Sequence, residues 1–168
     1  MKKVFFISLA VLSSLTVFSQ SKDVVDIAIG SADHTTLVIA VKAADLVPTL
    51  KSAGPFTVFA PTNDAFGKLP EGTVTSLLKP ESKATLTKIL TYHVVSGSLD
   101  AAAVLAAIKN GNGKVVLSTV SGGKLTATLE MGKVKLTDES GSSAYVTVAD
   151  LKGSNGVVHV IDGVLLPK

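Results

Sequence analysis

The stretch GPFTVFAPTNDAFGKLP, Gly54 to Pro70, decides how the rest of this 168-residue chain is read. Gly54-Pro55 stops whatever helix precedes it. Phe56–Ala60 is then a short apolar run of aromatic and β-branched type, which reads as a strand buried on both faces. Thr62 stands where a helix N-cap belongs, and Asp64 falls in the first turn, where the helix dipole favours an anion. Pro70 stops that helix. The block therefore predicts a buried strand that feeds directly into a capped helix.

Two further segments share this character. NGVVHVIDGVLLP (Asn155–Pro167) opens on a turn signal and continues as an apolar strand over Val157–Asp162. ILTYHVVSG (Ile89–Gly97) leaves an amphipathic helix, Ser82–Thr91, and passes into a strand at Tyr92-His93. On that helix Leu86, Ile89, Leu90 and His93 recur at i, i+3, i+4 and i+7.

Outward from these landmarks the chain divides into a helical half and a strand-rich half. Asp23 can cap a helix over Val24–Ile29, and Asp33 can cap a second one carrying Leu37, Val41 and Ala44 on one face. Pro48 predicts a break near Asp45 followed by one extra turn. Thr73 opens a short helix over Val74–Leu78 that Pro80 stops, and Asp100 caps Ala101–Lys109, which Asn110-Gly111 closes. After Gly113 the period becomes two. Leu125, Ala127 and Leu129 alternate with polar residues over Lys124–Glu130, as do Val134 and Leu136 over Lys133–Thr137. Gly122-Gly123 and Met131-Gly132 read as tight turns between antiparallel neighbours. Ser143–Ala149 is a further strand, with a loop before Asn155-Gly156. Helices first and a mostly antiparallel meander afterwards predict an α+β fold.

Composition bounds the function. Hydrophobic residues make up 46% and charged residues 17%, which suits one folded domain and argues against disorder. Met1-Lys2-Lys3 followed by the apolar Val4–Phe18 reads as an export signal, residues 1–19, with cleavage near Ser19/Gln20. No cysteine is present to carry a lipid or form a disulfide. Of the 16 basic side chains, loss of Lys2 and Lys3 leaves 14 against 13 acidic ones. A near-neutral mature domain argues against nucleic acid and against an anionic membrane surface as partners. The absence of Arg removes both bidentate phosphate recognition and an Arg-Gly-Asp adhesion tripeptide.

The blocks Gly54–Pro70 and Asn155–Pro167, in this order around Tyr92-His93, closely resemble the signature motifs of the fasciclin-domain family. The resemblance covers Lys22–Pro167. It implies one domain over residues 22–168, built as a wedge of two small, mostly antiparallel sheets with the N-terminal helices packed on one side. It also implies a scaffold used in adhesion and matrix contact. Tyr92 and His93, flanked by Leu86, Ile89, Leu90, Val94 and Val95, match the pair to which the family assigns integrin-mediated adhesion. Asp150 and Leu151 match a second adhesion pair, although Val148 and Ala149 stand where that motif has Glu and Pro. The residues themselves give a plainer reading beside this one. His93 lies on the apolar stripe of its helix, as a hydrogen-bonded core histidine would, and Asp150 reads as a strand-end or turn residue.

Chemistry has little foothold. His34, His93 and His159 have no second ligand at metal-binding spacing, so no metal or other cofactor is expected. Ser96-Gly97-Ser98 lacks the G-x-S-x-G elbow, and Asp162 with His159 and a serine is only a nominal triad. The expectation is a secreted or periplasmic, non-catalytic adhesion or matrix-association module that binds an extracellular protein or polysaccharide, with no stable membrane insertion after signal cleavage. A periplasmic carrier of a small apolar ligand is the alternative, and a hydrolase a distant third.

Overall fold

The computed structural model describes residues 21–168, so the expected export signal, residues 1–19, lies outside the described residues. In chain order the elements are α1 (Val24–Ile29), α2 (Thr35–Ala43), α3 (Val47–Leu50), β1 (Phe56–Pro61), α4 (Asn63–Gly67), α5 (Thr73–Leu77) and α6 (Lys83–Tyr92). There follow β2 (Val94–Ser96), α7 (Ala101–Asn110), β3 (Lys114–Ser118), β4 (Lys124–Glu130), β5 (Lys133–Thr137), β6 (Ser143–Gly153) and β7 (Gly156–Ile161).

Local chemistry sets most of these boundaries. Asp23 Oδ1 accepts the Val25 and Asp26 N–H groups, each at 2.9 Å, and Asp26 Oδ2 accepts the Asp23 N–H in return. This reciprocal box occupies donors that α1 would otherwise leave bare. Thr62 caps α4 through its hydroxyl, and Asp100 caps α7 through Oδ1 at 2.8 Å from Ala103 N. Asp45, at φ 54°, ends the second helical segment, and Pro48 sits in the first turn of α3. The expectation for Asp33 does not hold. A 3-10 turn over Ala32–His34 precedes α2, no side chain of that turn caps it, and Asn63 Oδ1 accepts the Thr36 N–H instead, at 3.0 Å. That cap comes from another element, so local sequence could not reveal it.

The strands form one continuous sheet in the order β2-β1-β7-β6-β5-β4-β3. β1 and β7 run parallel, and every other neighbouring pair is antiparallel. The ends of the sheet meet where Val95 bridges Thr119 and the Val120 N–H donates to Val94 O at 2.7 Å. The sheet therefore curls into a nearly closed wedge, its two halves joined by β6. Ser143–Ala149 was expected to end in a loop. Instead β6 continues to Gly153, because register shifts at Val146/Val148 and Val148/Leu151 absorb the extra residues against β7.

Two hydrophobic clusters result. Helices α1, α2, α3 and α6 pack on the outer face of β1 and β7, around Leu37, Val41, Leu90 and Val158. Inside the wedge, Phe59, Leu125, Leu136, Ile161 and Leu165 pack with Val104 and Ile108 of α7. β1 and β7 lie between the two clusters, which explains why β7 is buried along its whole length.

Candidate functional site

Tyr92 and His93 occupy the seam between the clusters. Tyr92 closes α6 and is fully buried in the inner cluster. Its hydroxyl donates to Lys124 O at 2.7 Å and accepts the Glu139 N–H at 3.2 Å. Burial holds its phenol pKa above the ordinary value. Gly123 lies against the ring, where a Cβ would come within 2.5 Å of Cε2.

His93 is 2% exposed. Its Nδ1 lies 2.8 Å from Ile89 O, and Nε2 lies 3.0 Å from the Leu165 backbone nitrogen. A carbonyl can only accept and an amide N–H can only donate, so the ring is the neutral tautomer with its proton on Nδ1. Burial pushes the imidazole pKa down to about 4, against opposing pulls from the Ile89 carbonyl and the Asp138 carboxylate. Neither residue of the pair offers a polar atom to solvent.

Asp150 and Leu151 lie on β6 opposite the start of α7. Asp150 adopts φ 61° inside the bulged strand, not at its end. Its Oδ1 accepts the Ala101 N–H at 2.7 Å, so Asp100 and Asp150 together serve the N-terminus of α7. Leu151 pairs with Val158 and packs half-buried against the outer cluster. The structure thus holds these two pairs apart, one sealed in the seam and the other on β6, where Asp150 is exposed and Leu151 half-buried.

His159 stacks on Phe59 with ring centroids 5.6 Å apart. Its Nε2 donates to Leu99 O at 2.7 Å, while Nδ1 accepts the Asp150 N–H at 3.3 Å. The Asp162 carboxylate accepts the Tyr145 N–H at 2.8 Å. His159 and Asp162 therefore each bond to backbone and do not face one another as a catalytic pair would. Among the described residues no three His, Cys, Asp or Glu side chains gather as a metal site.

The surface also carries concavities, two of which bear on function. A crevice with about 40 Å³ of open space lies between α1, α2 and β1, lined by Val25, Leu37, Val41, Val58 and His93, with Lys42 also on its lining. A larger groove of about 510 Å³ lies between the Gly54-Pro55 approach to β1, the Ser98–Asp100 segment and the β6–β7 turn. Sequence reading missed this groove, because its walls come from three separated segments. It also missed Asp138, a buried carboxylate that accepts N–H groups from Ser140, Ser142 and Leu166, each at 2.9 Å. Asp138-Glu139-Ser140-Gly141 is a turn sequence, but nothing local shows the C-terminal segment reaching it.

With this geometry in place, residues 32–167 match the profile of the fasciclin domain. The chain belongs to the fasciclin domain family. This fasciclin domain is 53% identical over 144 residues to protein sll1483 of Synechocystis sp., across 86% of this chain and 73% of that protein. It is 37% identical over 145 residues to transforming growth factor-beta-induced protein ig-h3 of Sus scrofa, across 86% of this chain and only 19% of that longer one. A FAS1 domain pair from the insect cell adhesion molecule Fasciclin I superposes with a TM-score of 0.63 at 21% identity, over 77% of this chain and 43% of that one. At that identity the likeness establishes the fold. Among the described residues of the fasciclin domain, no helix is long and apolar enough to cross a membrane.

Proposed function

We propose that this fasciclin domain is an exported, non-catalytic adhesion or matrix-association module that binds an extracellular protein or polysaccharide. The observation that carries the reading is the contrast between the two candidate pairs. Tyr92 and His93 are sealed by packing and backbone hydrogen bonds, which makes them scaffold. Contact then falls to the exposed rim around Asp150, where Val148 is 48% exposed beside it. Membership of a family used in adhesion supports the reading, as does the engagement of His159 and Asp162 with backbone. Attachment of the purified protein to surfaces coated with cell-envelope polysaccharides and matrix proteins tests it. Specific, saturable attachment is expected, and failure on every surface would sink it. Export is tested by mass spectrometry of the mature protein, which should begin at Gln20 or close by; an intact Met1 in a membrane pellet would refute it.

The crevice beside α1 and α2 favours a second reading, a carrier of a small apolar ligand. Its present volume admits only a few heavy atoms, so a larger cargo requires α1 or α2 to move outward. A lipid or chromophore recovered by solvent extraction of the purified protein would favour this reading over adhesion.

A further inference from the structure

The groove between Pro55, Ser98, Asp100, Lys152, Ser154 and Val157 is the largest concavity described above, and neither candidate adhesion pair lines it. Its volume of about 510 Å³ falls within the ~300–1,000 Å³ usual for small-ligand sites. We infer that it is a binding site for a short, neutral oligosaccharide, an inference that rests on the adhesion reading above and adds to the Asp150 rim a second contact surface with its own ligand class.

The functional groups of the groove select this ligand chemistry. Ser98 and Ser154 present exposed hydroxyls, and Lys152 is likewise exposed. Asp100 commits Oδ1 to the α7 cap and keeps Oδ2 for another donor. Hydroxyl, ammonium and carboxylate groups together match a ligand that donates and accepts at every position, as a sugar does. Lys152 and Asp100 carry opposite charges on different segments of the wall. A uniformly charged polymer would meet one attractive and one repulsive group, whereas neutral hydroxyls can make charge-assisted hydrogen bonds to both.

An extended peptide fits less well, because the backbone around the groove is already used. The Phe56 N–H donates to Asn155 O, the Gly97 N–H to Pro55 O, and the Ser154 N–H to Lys22 O. Lys152 pairs with Val157 and Gly153 with Gly156 across the hairpin. At the groove, these bonds occupy backbone on which a peptide could otherwise add. Asp100 is the one carboxylate on the lining of the groove, and the recognition drawn here uses hydroxyl, ammonium and carboxylate groups with no bridging cation.

Nuclear magnetic resonance titration of the isotope-labelled protein tests this inference, with cellotetraose and N-acetylchitotetraose as neutral probes. Tetragalacturonate and fully deacetylated chitotetraose serve as the charged ones. Neutral sugars should shift the amides of Ser98–Asp100 and Lys152–Gly156 saturably, and equally well in the presence of a chelator. Combining Ser98→Ala and Ser154→Ala should weaken binding about tenfold, the loss of two hydroxyl hydrogen bonds, with an unchanged unfolding midpoint. Shifts located elsewhere, no shifts at all, or preference for a charged probe would overturn the groove assignment. Surface attachment that persists undiminished in the double variant would overturn the groove and leave the adhesion reading standing. Saturable sugar shifts without attachment to any surface would support the groove and overturn adhesion instead.

Discussion

His93 acts through a pair of bonds of which a charged imidazole could keep only the one to Ile89 O. Its neutral ring donates to Ile89 O and accepts from the Leu165 N–H, and protonation of Nε2 would set two donors against each other at 3.0 Å. The folded-state pKa of about 4 lies below the ordinary 6.5, so between these values the unfolded chain binds the proton and the folded chain does not. This contribution is complete above about pH 6.5 and is lost as the pH falls through that window to about 4. It amounts to roughly 3 kcal/mol at ~1.4 kcal/mol per pKa unit. His34, whose pKa is lowered mainly by burial, adds a component of the same sign. Urea unfolding at several pH values should therefore show a steeper acid loss in the wild type than in His93→Gln. His93→Ala should lose about 2–3 kcal/mol near neutral pH through a broken bond pair and a new void. A stable His93→Ala protein that no longer attaches to surfaces would instead make the pair a contact site. Gly123→Ala probes the neighbouring residue. Its Cβ would press on the Tyr92 ring, and overpacking there should cost about 1–3 kcal/mol in chemical denaturation.

At the scale of elements, α7 shows how two distant carboxylates cooperate. Asp100 is a local cap that sequence reading found, whereas Asp150 reaches the Ala101 N–H from a bulged strand. Asp150→Ala should destabilise by about 1–2 kcal/mol, combining a lost cap with an unfavourable left-handed backbone. Asp150→Asn keeps an amide oxygen and tolerates φ 61°, so it should retain most of that stability. Equal losses in the two variants, measured by thermal unfolding, would mean that the retained acceptor oxygen and the tolerance of φ 61° contribute nothing and that the carboxylate charge alone matters. Surface attachment measured on Asp150→Asn also bears on the proposed contact role of this rim.

For the whole molecule, closure depends on the C-terminal segment after β7. Leu165 is fully buried in the inner cluster, its N–H meets His93 Nε2, and the Leu166 N–H meets Asp138 Oδ2. A chain ending at Asp162 should lose these together, with the Leu165 side chain alone worth about 2–5 kcal/mol. Such a truncation should unfold without a cooperative thermal transition or give poorly dispersed amide resonances. A well-dispersed spectrum with an unchanged midpoint would show that the segment is dispensable.

Sequence alone determined what depends on neighbours along the chain. The caps at Asp23, Thr62 and Asp100, the break at Asp45, the inward alternation of Leu125 and Ala127 on β4 and of Leu136 on β5, and the apolar run of β7 follow from local hydrogen bonding and side-chain period. Leu129, expected on the same buried face, is instead 46% exposed near the end of β4. The motif resemblance added the family, and the stripe on α6 already placed His93 in the core. Tertiary structure decided what depends on distant partners. It replaced the expected Asp33 cap by Asn63, extended β6 through Asp150 so that its carboxylate meets α7, and joined Asp138 to the C-terminal segment. It also brought Pro55, Ser98 and Lys152 to one groove. Such contacts are fixed by chain closure and packing between elements far apart in sequence, and no local period or turn signal records them.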